Sequence, residues 1–229
     1  MTDSHRYAML LSALPAHGAL FAARQTPLSR LRLEQRLTQL DDEDARTLRT
    51  LRTLLEWAEQ DPRSSDQAVL ERARRLIPTL PDPFARDLAD WRLEMRTLIC
   101  ALRHRHRGEP PPSERRWGHG RWSGQVHRHW NEPAFRLERA CPWLPEAARR
   151  LDQGDALGLE RLLLRTVWDH LERLHDGHHF DFAAVIIYAL RWDLVARWTS
   201  YHHERALTRF DDLVETALDG VELMPEVAA

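Results

Sequence analysis

Apolar residues recur at three- and four-residue steps through most of this chain, the period of helices with one buried face. The pattern is densest over residues 181–200. There Phe182, Val185, Ile186, Ile187, Ala189, Leu190, Leu194, Val195 and Trp198 cover a wide face of one helix, and Arg191, Asp193 and Arg197 occupy the remainder. Asp193 and Arg197 stand four apart in the acid-before-base order that favours a pair on one helix surface. A helix this apolar belongs in the middle of a fold. Residues 156–174 predict an amphipathic helix before it, and residues 201–219 a separate one after it.

The same periodicity organises the N-terminal half. Residues 7–14 form a short apolar run, a strand or a helical turn, stopped by Pro15 and Gly18. Thr26 and Pro27 read as a cap and first helical residue, opening a helix to about Leu40 with Leu28, Leu31 and Leu37 on one side. Asp41, Asp42, Glu43 and Asp44 open the next, where negative charge suits the helix dipole. Its inward residues are Leu48, Leu51, Leu54, Leu55 and Ala58, and it ends near Asp61 and Pro62. Ser64 or Ser65 caps a helix to Ile77, and the proline-rich residues 78–83 make a rigid connector. Residues 84–106 then predict a long helix with Leu88, Trp91, Met95, Leu98, Ile99 and Leu102 as its stripe. Gly108, preceded by cations, is its C-terminal stop.

Beyond Gly108 the pattern changes. Residues 109–113 include three consecutive prolines and read as a linker. Residues 115–130 are rich in Trp, Arg, His and Gly, with helix expected from Ser123. Pro133, Pro142 and Pro145 break the chain before a short helix over 145–153, and residues 224–229 read as a frayed tail. The segments divide into an N-terminal helical lobe (1–108), a Pro/Trp-rich connector (109–145) and a C-terminal helical lobe (146–229), or one domain overall. There is no strand pair, hairpin signal or strict repeat. The fold class is all-α, a bundle of roughly eight to nine helices.

Composition narrows function by exclusion. With 43% hydrophobic and 30% charged residues the chain reads as an ordinary globular protein, and its net charge of -2 gives no global bias toward nucleic acid or anionic membrane. All 33 residues of the Lys and Arg count are arginine. That excludes a Walker A lysine, a Schiff-base lysine and a pyridoxal aldimine. Cys100 and Cys141 share no metal or redox spacing, and Cys100 reads as a small buried apolar residue. Neither a signal peptide nor an 18-residue uncharged apolar run is present, so a cytoplasmic chain is expected.

Several clusters invite chemistry. Among the 13 histidines, His170, His175, His178 and His179 lie with Asp176 and Asp181. Two histidines and a carboxylate would hold zinc, but the H-E-x-x-H pair is missing. Adjacent His178 and His179 point different ways, and ordinary helix-end and loop positions account for the group. His202, His203 and Glu204 carry a weaker version of that signal. Cys141, followed by Pro142, lacks a nucleophile context, and no G-x-S-x-G elbow exists. Acidic pairs such as Asp211 and Asp212 read as helix-end or surface charge. We therefore expect no catalytic, cofactor-binding or metal-binding residue. The cations and aromatics around residues 103–130 suggest single-stranded nucleic acid, tryptophans packed between domains, or a protein interface, where Trp and Arg are enriched. No nucleic-acid motif accompanies them. The candidate partner-binding residues are Arg103, Arg105, Arg107, Trp117 and Trp122.

Three ordered blocks resemble a bacterial family of proteins similar to the C-type stalk component of the V-type ATPase. Tyr7-Ala-Met-Leu-Leu-Ser-Ala-Leu-Pro15 resembles its Y-x-x-L-x-x-x-L-P opening. Arg96-Thr-Leu-Ile-Cys-Ala-Leu-Arg103, with Gly108 beyond, is similar to its R-x-x-L-x-x-L-R-x-x-x-x-G helix end. Asp181, Tyr188, Arg197, Trp198 and Phe210-Asp-Asp-Leu-Val214 look like its third block. The larger archaeal and eukaryotic relatives of that family are all-helical funnels. They seat the rotor shaft on the membrane proteolipid ring. The resemblance implies a funnel-like or two-lobed, non-catalytic central-stalk protein for ion transport. Its partners would be the rotor shaft and proteolipid ring, with no nucleic acid. Membrane contact would come only through the complex, at the inner face of the cell membrane. The alternatives are an all-helical assembly chaperone or adaptor, and a histidine-based metalloprotein.

Overall fold

A computed structural model describes residues 6–55, 66–112 and 117–219; for residues 66–69 and 201–219 it describes the backbone alone. Among the described residues there are nine α-helices and no strand. They are α1 (Ala8–Ser12), α2 (Arg30–Leu37), α3 (Asp42–Leu55), α4 (Asp66–Leu76), α5 (Pro83–His106), α6 (Ser123–Arg128), α7 (Leu144–Asp152), α8 (Ala156–His175) and α9 (Phe182–Asp219). The all-helical class and the helix number follow the periodicity. So do most boundaries, because local capping sets them. Asp41 Oδ1 accepts from the amides of Glu43 and Asp44 at 3.1 and 2.9 Å. Asp82 caps α5 by accepting from Ala85 N at 2.7 Å, with Pro83 at the first position. Gly108 ends α5 at φ +74°, a conformation glycine reaches without a Cβ clash. The short apolar run at residues 7–14 resolves as a helix over Ala8–Ser12, tied down by Tyr7 N donating to Phe180 O at 2.8 Å.

Two boundaries depart from the sequence reading, each for a traceable reason. α2 starts at Arg30 instead of Pro27, with Ser29 as its cap. Leu28 is drawn out of the helix because its carbonyl accepts from Trp192 Nε1 of α9 at 2.9 Å. The inward stripe shifts with it. Leu33 is 0% exposed whereas Leu31, expected inside, is 69% exposed. The second departure is in α9, which runs 38 residues without a break at Ser200, about 57 Å of helix. Thr199 Oγ1 bonds back to Val195 O at 2.9 Å and Ser200 Oγ to Arg197 O at 2.9 Å. Both hydroxyls are spent on the preceding turn, so neither caps a new helix. The expected helix end at Asp61 and Pro62, the caps Ser64 and Ser65, Ala58 and the tail at 224–229 lie outside the described residues. Cys100, expected buried, is only partly buried, whereas Cys141 is buried.

One cluster of buried apolar side chains runs from Tyr7 to Trp198. The first half of α9 supplies Val185, Ile186 and Ile187, and packs on α8, α3 and α5. The expected pair within α9 does not form. Asp193 instead meets Arg52 of α3, at 2.9 and 2.6 Å, and Arg197 meets Glu160 of α8 at 2.8 Å. Each charge ties α9 to a different neighbour.

Histidines are built into this packing in neutral form. His17 lies 4.3 Å from the Tyr188 ring and edge-on to Trp168, whose face carries the Arg191 guanidinium. Burial, helped by Arg191, pushes His17 down to about 4. His170 stacks on Trp91 at 3.6 Å, and burial, helped by Arg173, pushes it down to about 4. The unfolded chain protonates these rings near 6.5, the folded chain only near 4. Their contribution is therefore complete above 6.5 and lost as the pH falls toward 4. We expect about 2–4 kcal/mol of stability to disappear across that window, discounted for the partial exposure of His170. Urea midpoints at pH 7 and 4.5 measure the loss, and a His17→Gln/His170→Gln variant should reduce it.

Candidate functional site

The irregular segment after α5 explains its unusual composition. Residues 117–122 lie across α5 as a strap. His119 N donates to Thr97 Oγ1 at 2.9 Å, His119 Nε2 meets Asp90 at 2.7 Å, and Arg121 N donates to Glu94 Oε1 at 2.9 Å. Asp90, Glu94 and Thr97 sit at steps of four and three, one face of α5. The glycines permit the close approach. A Cβ on Gly120, at φ +83°, would lie 2.1 Å from Glu94 Cγ, and one on Gly118 would lie 2.4 Å from Thr97 Cγ2.

The candidate partner-binding residues fall into two groups. Trp117 and Trp122 belong to the strap and pack, half-buried, against the core; Arg121 lies over the Trp122 ring at 4.7 Å. Arg105 points inward as well. It donates to the carbonyl of Glu132 and lies 5.1 Å from the ring of fully buried Phe135. It thereby braces a bend where Phe135 and Arg136 both adopt positive φ, 53° and 58°. Trp130 Nε1 closes the same joint by donating to Glu109 O at 3.1 Å. Arg103 and Arg107 remain at the surface, Arg107 paired with Glu109.

The histidine group disperses. His178 pairs with Asp181 at 2.6 Å and packs on Phe84, His170 is the ring stacked on Trp91, and His175 lies edge-on to His179. Among the described residues no three His, Cys, Asp or Glu side chains are placed to hold a metal ion. Burial, with the Glu94 carboxylate, pushes the Cys141 thiol up to about 11, so it stays protonated at neutral pH. The side chains of His202, His203, Glu204, Asp211 and Asp212 lie outside the described residues.

A cleft of about 470 Å³ lies between the end of α5, the α7–α8 joint and α9, within the size range of ligand sites. Leu151, Leu159, Leu163 and Leu164 line it, with Arg103, Arg150, Asp155, Glu160 and Arg197 among its polar groups. Asp155 caps α8 by accepting from Gly158 N at 2.8 Å and holds Arg150 at 2.6 Å. A Cβ on Gly158 would lie 1.8 Å from Arg150 Nη1 and 1.9 Å from Asp155 Oδ2, so the pair is packed around a glycine. Buried Arg92 lies near Arg96 and Arg197, and burial together with these two charges pushes its pKa down. Of the cleft residues only Arg103 was among the candidate partner-binding residues, and Arg197 was expected to pair with Asp193 instead. The available local signal was the Gly154-Asp155 helix start with Arg150 one turn before it.

Compared with family models, curated proteins and solved structures, the chain matches none.

Proposed function

We propose that this chain is a non-catalytic coupling component of a V/A-type rotary ATPase. It joins the rotor shaft to the membrane proteolipid ring in ion transport, peripheral to the inner face of the cell membrane. Among the described residues no helix is long and apolar enough to cross a membrane, so contact with the ring would be made through helical surfaces.

The observation that carries this reading is that the three blocks resembling the V-type ATPase stalk family, far apart in sequence, meet in space. Tyr7 of the first block contacts Phe180 and Phe182, beside and within the third, and Tyr188 donates to Pro15 O at 2.9 Å across 173 residues. Arg103 of the second block and Arg197 of the third line one cleft. Such a component transmits torque, and stiffness serves it better than any one reactive group. Long helices tied to one another by Arg52–Asp193 and Arg197–Glu160 suit that task.

The surface pair Arg103 and Arg107 is where partner contact is expected. An Arg103→Ala/Arg107→Ala variant should keep its melting temperature, because neither guanidinium is buried. It should recover several-fold less of the other ATPase subunits when tagged and purified from the host. Wild-type recovery by a folded double variant would remove this patch from the interface.

A further inference from the structure

We propose that the cleft between α5, the α7–α8 joint and α9 binds a carboxylate monoanion carried on a short apolar body. Its charge arithmetic points there. Three guanidinium groups line it, those of Arg103, Arg150 and Arg197, against two carboxylates, Asp155 and Glu160. Arg150 is held by Asp155 at 2.6 Å and by Glu146 at 2.8 Å, and Arg197 by Glu160 at 2.8 Å. Arg103 takes part in no ion pair among the described residues. The cation without a carboxylate partner is thus the exposed Arg103, whose side chain is free to turn toward a ligand.

The form of the anion follows from the same groups. A guanidinium presents two parallel N–H donors that match a carboxylate. A phosphate dianion would bring a second negative charge against Asp155 and Glu160, which are fixed by their own partners. The N-terminus of α8 adds positive potential without adding a contact. The remaining wall is apolar, with Leu159, Leu163 and Leu164 buried in the core at its floor. A chain of a few carbons would lie on that floor with its carboxylate at Arg103. The required chemistry is shared by a free short-chain acid and by a glutamate–leucine pair on a partner protein.

Isothermal titration of the full chain with hexanoate, hexanamide, hexyl phosphate and the blocked dipeptide acetyl-Leu-Glu-amide tests the assignment. Expected is saturable binding of hexanoate, of the dipeptide, or of both, with hexanamide and hexyl phosphate at least tenfold weaker. Arg103→Ala should lower the carboxylate affinity at least tenfold while the melting temperature stays put, and Arg103→Lys should lose less. Tighter binding of hexanoate assigns the site to a free acid; tighter binding of the dipeptide assigns it to a partner chain. Binding of neither carboxylate overturns the proposal, as does equal binding of the amide, equal or tighter binding of the phosphate, or binding indifferent to Arg103. The cleft's chemistry does not depend on which assembly the chain joins. A positive titration beside failed recovery of ATPase subunits would reject the rotary reading alone.

Discussion

Replacing Ile187 with aspartate is expected to unfold the chain. Ile187 is 2% exposed, between Ile186 and the half-buried Tyr188 on the face of α9 that meets α8, α3 and α5. The cation one turn on, Arg191, is already committed to the Trp168 face and to Glu172, and burying a carboxylate in this apolar packing costs several kcal/mol on top of the lost apolar contact. Domains of this kind have about 5–15 kcal/mol in total. Thermal unfolding followed by circular dichroism should show no cooperative transition, or one lowered by well over about 10 °C. Ile187→Val, which removes one methyl group, should cost only about 1 kcal/mol. An unchanged melting temperature for the aspartate variant would mean that this face of α9 is not the core.

The second large effect is expected at Asp193. Its carboxylate receives two parallel bonds from Arg52, and Arg52 also reaches Glu34 at 2.8 Å. Burial raises the Asp193 carboxyl, with Arg52 opposing the shift. Asp193→Ala would leave a largely enclosed guanidinium with Glu34 alone. Breaking a fully buried pair costs about 3–5 kcal/mol. The Asp193 side chain keeps 35% exposure, so a loss of about 2 kcal/mol is expected after screening. Urea titration measures it. Arg52→Met/Asp193→Leu should lose clearly less than the two single changes added together, because apolar replacement of both partners removes the stranded charge. Additive losses would show that the two side chains do not interact.

What was legible in the sequence was local. The 3.6-residue period placed α3, α5, α7 and α8, and end signals such as the acidic run at Asp41 and Gly108 fixed ends within a residue or two. These signals act across one helical turn and need no tertiary information. The errors came where a distant group competes with a local preference. Thr26 and Pro27 make a sound helix start, but Trp192 takes the carbonyl of Leu28 from 164 residues away. Asp193 and Arg197 have ideal spacing for a surface pair, yet α9 is enclosed on several sides and each finds a better-ordered partner on another helix. Ser200 and Tyr201 look like a junction only if the hydroxyls of Thr199 and Ser200 are assumed to point forward.

The candidate site shows the same division. The arginine run at the end of α5 was visible, but Arg103, Arg105 and Arg107 look alike in sequence. They separate only when the chain returns with Glu132 and Phe135 to claim Arg105. The strap at residues 117–122 suggested a binding surface because Trp, Arg and His are interface residues. Its glycines were the better clue, since two of them within three residues allow backbone to lie against Asp90, Glu94 and Thr97. The cleft was illegible because its wall is assembled from four separated helices, and no short spacing records that.

The coupling role is tested most directly by composition of the assembled enzyme. The intact rotary ATPase should be purified from the host membranes through a tag on its catalytic subunit, and its chains counted by quantitative mass spectrometry. The account predicts this chain at a fixed stoichiometry with the rotor shaft, retained through washing and lost when the shaft protein is deleted. An active, proton- or sodium-pumping complex that lacks the chain would contradict it.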